Sequence, residues 1–229
     1  ANLFLSQDDN KISFGLKTKN YREFGTRLCD KAQEVYSNDI EIDAYENYAR
    51  DMADFLYRTN EIEFYKTPYA ECLEAKHTMM GFPSCYTTKN KHTQSQLDGL
   101  VMSNKCGTID NNYKVIRIHE CFLPSILEKG APGEFRNFSH KSRAGVQFPE
   151  PKDLHKKLNT CHSYKDSAWV RHLMYEYIHP FCDGNGRSGR IILVNDLDYN
   201  FLAANNLIGH NYIASIINQM DAKKLEKLL

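Results

Sequence analysis

The twelve residues His179-Pro180-Phe181-Cys182-Asp183-Gly184-Asn185-Gly186-Arg187-Ser188-Gly189-Arg190 gather more chemical function than any other stretch of this 229-residue chain. An imidazole ionises near neutrality, so His179 suits a base that accepts a proton from an attacking hydroxyl. Asp183 is a hard carboxylate, the kind of group that holds Mg²⁺ beside phosphate oxygens. Gly184, Gly186 and Gly189 let the backbone come close to a ligand, and a loop of N–H groups feeding a helix start attracts anions. Arg187 and Arg190 add two guanidinium forks shaped for phosphate. A base, a metal ligand, a phosphate cradle and a charge clamp thus fall in one short segment.

Two familiar phosphate-binding patterns share letters with this segment but not its setting. Gly184-Asn185-Gly186-Arg187-Ser188-Gly189 reads GxGxxG, yet a helical pattern and a proline precede it where a dinucleotide fold needs a strand. The spacing from Gly184 to Gly189 also fits a P-loop, but Arg190-Ile191 stands where Lys-Ser/Thr is required.

The elements that must position the segment are helices. Before it, Trp169, Val170, Leu173, Met174, Tyr177 and Ile178 recur at helical spacing, with Asp166 or Ser167 available as N-cap. Pro180 disfavours helical geometry at His179, which predicts a helix ending with the imidazole in its last turn. After it, Arg190, Ile191, Val194 and Leu197 form a second stripe. Upstream, Phe24, Leu28, Ala32 and Val35, then Ala44, Tyr48, Met52 and Phe55, predict helices between Tyr21 and about Arg58. Leu73 to Met80 is a short helix candidate. Val115, Ile118, Phe122 and Ile126 form a further stripe, interrupted by Pro124. Residues 81–112 are polar and turn-rich and read as a loop or insertion. Residues 131–151, with Gly133, Gly145 and prolines 132, 149 and 151, read as a small hairpin. Tyr212 to Leu229 reads as helix. The fold class is mainly α, divided into a helical region with a loop insertion (1–110) and a core (111–229).

Composition narrows the partners. Twenty-nine basic residues balance twenty-nine acidic ones, and no helix face is basic, so a nucleic-acid reader is not expected. No apolar run approaches the ~20 residues that span a bilayer, and Ala1 to Asp9 are too polar for a signal peptide. Seven cysteines, odd in number and without a CxxC pair, fit reduced thiols in a cytoplasmic compartment; an effector delivered into another cell's cytosol would carry the same signature. His119, His162 and His172 lack metal-ligand spacing and read as surface or satisfied core residues. Cys182 reads as an inert filler.

The full twelve-residue string matches the Fic signature H-P-F-x-[D/E]-G-N-G-R-x-x-R at every defined position. Pro132-Gly133-Glu134-Phe135-Arg136 resembles the segment leading into that family's substrate-aligning flap. Phe148-Pro149-Glu150-Pro151 resembles the stretch after the flap, and Ile118-His119-Glu120 the helix before it. The resemblance covers about residues 113–200 and implies a Fic-fold helical bundle with a small β-hairpin flap. It further implies a protein adenylyltransferase, moving AMP from ATP to a Tyr, Thr or Ser hydroxyl of a target protein. His179 would be the base, and Asp183 would hold Mg²⁺ on the ATP phosphates. Gly184, Asn185 and Gly186 would form the anion hole, Arg187 would bind phosphate, and Arg190 would take the γ-phosphate.

Many Fic proteins carry an inhibitory helix, [S/T]-x-x-x-E-[G/N], whose Glu pairs with the second motif Arg. Ser37-Asn38-Asp39-Ile40-Glu41-Ile42 resembles it, which makes Glu41, in a helix near 34–45, the regulatory candidate. Thr59-Asn60-Glu61-Ile62-Glu63-Phe64 is the rival; both depart at the last position. Three competing readings stand beside AMP transfer: transfer of a different phosphate-containing group, a catalytically silent nucleotide-binding module, and a toxin held by a separate antitoxin. The intact Gly186 and Arg187 favour AMP, and the intact His179 favours an enzyme.

Overall fold

The computed structural model describes residues 18–36, 41–80, 88, 90–142 and 144–229. Twelve α-helices run through them: α1 (Thr18–Val35), α2 (Glu41–Ile62), α3 (Tyr69–Leu73), α4 (Lys76–Met79), α5 (Lys91–Cys106), α6 (Asn112–His119), α7 (Leu154–Ser163), α8 (Ala168–Ile178), α9 (Asn185–Asp196), α10 (Phe201–Leu207), α11 (Tyr212–Gln219) and α12 (Ala222–Leu228). Single 3₁₀ turns start at Pro124 and Pro151, where proline fixes φ and ends the preceding pattern. Among the described residues no helix is long and apolar enough to cross a membrane.

The predicted stripes become buried faces. Phe24, Leu28 and Ala32 of α1 and Ala44, Tyr48, Met52 and Phe55 of α2 are all buried. α8 and α9 form the centre. Leu173, Met174, Tyr175, Tyr177 and Ile178 are buried on α8, as are Ile191, Ile192, Leu193 and Val194 on α9. Helices covered on nearly every side belong in the middle of a core. Ser167 is the N-cap of α8, its hydroxyl accepting from the Val170 N–H at 3.3 Å.

Two expectations change. Within 81–112, residues 91–106 are not a loop but helix α5, capped by Asn90, whose side chain accepts from the N–H groups of His92 and Thr93 at 3.0 and 3.1 Å. Its residues from Thr93 to Asn104 are buried. The apolar period was missing because much of the buried face is polar. Asn60 donates to Thr93 Oγ1 at 2.9 Å, Gln94 donates to Asp98 at 3.0 Å, and Ser103 shares a hydrogen with Tyr199 at 2.8 Å. Each such bond is worth about 1 kcal/mol net, but leaving one partner unpaired in the interior costs more. Gly99 lets α5 lie close on α9: a Cβ there would sit 2.6 Å from Ile191 Cδ1. Residues 81–87 and 89 lie outside the described residues.

The second change concerns the flap. Among the described residues there is no strand pair in 131–151. One isolated antiparallel bridge joins Lys141 to Gln147, closed by Ser142 N–H donating to Val146 O and Phe148 N–H to His140 O. Gly145 turns the chain at φ 82°, and Pro149 and Pro151, which lack N–H donors, follow at once. The turn survives; the ladder does not extend.

Candidate active site

α8 ends where expected, and the next residue, His179, takes a left-handed backbone, φ 49° and ψ 61°. That geometry is uncommon for a residue with a Cβ and turns the chain sharply off the helix. Its ring lies parallel to Phe148 of the flap, with centroids 4.1 Å apart. Nδ1 lies 3.3 Å from the Glu176 carbonyl. A carbonyl can only accept, so the proton sits on Nδ1 and Nε2 keeps its lone pair. Burial, with smaller contributions from His140 and Arg136, pushes the imidazole down to about 4. His179 is therefore neutral and able to accept a proton throughout the neutral range.

The loop after it is braced by its own side chains. Asn185 accepts from the Phe181 N–H at 2.8 Å and donates to the Phe181 carbonyl at 2.9 Å. Its amide thus holds the loop closed. Gly184 precedes α9 at φ 76°, and a Cβ there would meet His119 Nε2 at 2.9 Å and Phe122 at 3.1 Å. Only glycine allows both the turn and the approach. The first turn of α9 then presents N–H groups with no partner inside the helix.

Asp183 stands at this helix start with its side chain about a quarter exposed. Its carboxylate accepts from the N–H groups of Glu128 (2.7 Å) and Gly184 (2.6 Å) and lies 3.2 Å from Arg187 Nη2. One oriented carboxylate beside a phosphate cradle fits Mg²⁺, which binds through one or two carboxylates and substrate phosphates rather than a protein cage. Among the described residues no group of three or more His, Cys, Asp and Glu side chains comes together as a ready-made metal site.

Arg187 is fully buried. It donates to Ile126 O at 3.0 Å and lies 5.6 Å from the Tyr65 ring and 5.3 Å from the Phe122 ring. In this arrangement it orients Asp183 and is not open to solvent.

Arg190 is also buried, and its partners come from the far end of the chain. Nε donates to Thr59 Oγ1 at 2.7 Å, and Nη2 lies 2.5 Å from Glu63 Oε1. Burial opposes its charge, but the Glu63 carboxylate more than offsets this and holds the guanidinium above its ordinary pKa. The same carboxylate covers the helix start, because a Cβ on Gly186 would sit 2.7 Å from Glu63 Oε1. The acidic partner of Arg190 is thus Glu63 and not Glu41. Residues 37–40 and the Glu41 side chain lie outside the described residues. Glu41 starts α2 and Glu63 follows its last residue, roughly 33 Å away along a helix of this length. Thr59 and Glu63 are four apart and share a face, so both reach one guanidinium.

Phe64 explains how the rival motif tolerates its departure. Its N–H bonds to Glu61 O at 2.9 Å and the Tyr65 N–H to Asn60 O at 2.9 Å, the two bonds of a Schellman cap. That cap needs φ > 0 at Phe64, which is 62°, and favours Gly or Asn there. The ring is 84% exposed, so it gains little packing in return. Phe64→Gly should stabilise the chain by about 1 kcal/mol, raising the thermal midpoint by about 2–4 °C in a melting experiment.

His119, expected to be a bystander, ties the parts together. Its Nδ1 accepts from the Gly133 N–H at 2.9 Å, and Nε2 donates to Asp183 O at 2.8 Å. Its ring stacks on Phe181 at 3.7 Å. His172 is a satisfied core residue, donating to Gly189 O at 3.1 Å and accepting from Tyr212 at 2.8 Å. His162 is buried, 3.0 Å from Asn112 Oδ1.

Comparison with known proteins follows the same lines. Residues 111–195 match the Fic/DOC family profile. A Fic-domain-containing signalling protein from Bacteroides thetaiotaomicron VPI-5482 superposes with a TM-score of 0.53, covering 91% of this chain and 94% of that one at 15% identity. The two share a fold. A Fic family protein from Desulfovibrio desulfuricans G20 gives a TM-score of 0.47, covering 97% and 73% at 14% identity. No curated protein matches by sequence.

Proposed function

We propose that this chain transfers AMP from ATP to a hydroxyl of a target protein, and that Glu63 restrains it. The observation carrying the reading is the neutral His179, with its free Nε2, next to a helix start that carries Asp183 and ends its reach at Arg190. The attacking hydroxyl oxygen forms a bond to the α-phosphorus while the bond to the bridging oxygen of the β-phosphate breaks. The hydroxyl proton passes to His179 Nε2, and pyrophosphate leaves. The first-turn N–H groups of α9 stabilise charge on the phosphate oxygens. Mg²⁺ held by Asp183 would supply further neutralisation there. Arg190 is the natural ligand for the γ-phosphate, and Glu63 occupies that ligand position now. The bound carboxylate favours self-restraint over control by a separate antitoxin.

The test uses ATP labelled at the α- or the γ-phosphate, with Mg²⁺, cell lysate, and the wild-type and Glu63→Gly chains. Protein labelled only from the α-position supports AMP transfer. Label from the γ-position replaces it with phosphoryl transfer, and no label from either with the Glu63 variant leaves a nucleotide-binding module.

A further inference from the structure

Arg136 is 2% exposed, and among the described residues it has no carboxylate within ion-pair distance. A buried guanidinium without a counter-ion is costly unless its donors are hydrogen-bonded. Here four of its five N–H donors go to backbone carbonyls of two elements. Nε donates to His179 O at 2.7 Å, and Nη2 to Ile178 O at 3.2 Å and to Pro149 O at 2.5 Å. Nη1 donates to Phe138 O at 2.9 Å. The Arg136 N–H itself donates to Pro180 O at 2.9 Å. Two carbonyls thus belong to the end of α8 and two to the two sides of the flap.

The need for such a clamp follows from the sequence. A helix that ends on a left-handed residue normally uses the N–H of the residue after it to satisfy a last-turn carbonyl. That residue is Pro180, which has none. The end of α8 therefore keeps unpaired carbonyls and the negative end of the helix dipole, and the guanidinium serves both. The same fork fixes the flap so that Phe148 lies flat on the His179 ring.

We infer that Arg136 is a positioning residue that sets the backbone and ring orientation of His179 by clamping the flap to the end of α8. The inference rests on the proposed role of His179 as base. Lysine keeps the charge but has one nitrogen and cannot span four carbonyls.

The experiment compares Arg136→Lys and Arg136→Gln with the unaltered residue, all in the Glu63→Gly background, after a melting curve has shown that each is folded. The expected result is a fall in kcat on the order of a hundredfold with KM for ATP unchanged. The rate of His179 carbethoxylation by diethyl pyrocarbonate, read by mass spectrometry, should rise severalfold while that of the exposed His210 stays constant. An unchanged kcat, an equal loss of ATP affinity, or an unaltered His179 modification rate in both variants overturns the inference. If the chain with Arg136 intact transfers no AMP, the reading of the activity fails by itself. The carbethoxylation rates then decide the role of Arg136.

Discussion

Glu63→Gly should raise AMP transfer roughly 10- to 100-fold, the factor expected from removing one charge-assisted hydrogen bond that competes with substrate. On the proposed reading, ATP would place its γ-phosphate on Arg190 only by displacing a carboxylate that already holds the guanidinium at 2.5 Å. The competition is between two anions for one fork, so its removal should appear first as tighter ATP binding. Calorimetric titration with a non-hydrolysable ATP analogue separates this from a chemical effect. An affinity that stays the same in the variant would show that Glu63 is a structural partner of Arg190 and no more. Glu63→Gln keeps the shape but removes the charge and should fall between wild type and glycine. Glu41→Gly, at the other end of α2, should leave both quantities as they are.

His179→Ala in the Glu63→Gly background should lower transfer about 10²- to 10⁴-fold, the usual worth of a positioned base, with ATP binding retained. The imidazole packs on Phe148 and His140 and bonds the Glu176 carbonyl, so the loss should fall on kcat. The wild-type pH profile carries a second signature. A folded-state pKa lowered to about 4 means that His179 stays unprotonated as the pH falls from 8 towards 5. The rate should therefore be flat across that range and decline only as the pH nears 4. A midpoint near 6.5, the ordinary value for histidine, would show that the ring is not packed against Phe148 in solution.

What was legible in the sequence was the part that chemistry had concentrated. His179, Asp183 and the helix start at Asn185 lie where their spacing and Pro180 placed them, because a proline, a glycine turn and two apolar stripes are all local signals. Two things were not local. α5 escaped because Thr93, Gln94, Ser95, Asp98 and Ser103 are buried polar residues, and periodicity of apolar residues cannot see a helix that packs through hydrogen bonds. The motif alone does not single out the partner of Arg190, because Glu41 and Glu63 carry the same departure from it. The stripe of α2 leads to Glu63: Met52, Leu56 and Thr59 are buried along that helix, and Glu63 is the next step along it. An acidic residue on an inward face needs a cation, and Arg190 was available. His119 lacks ligand spacing, and its work is done through backbone groups that no side-chain motif records.

The polar helix α5 also bears on how this chain can be cut. The family-matched stretch begins at residue 111, yet α9, which carries both motif arginines, has one flank made by α5 through Gly99 and Ile191. Asn195 of α9 reaches across to the carbonyls of Ser103 and Gly107 at 3.3 and 3.1 Å. A fragment starting at 111 would lay bare the hydrophobic side of α9, together with amide and hydroxyl groups that had found each other. A protease should accordingly find no clean seam between the two halves, and residues 111–229 should be insoluble without the residues that precede them.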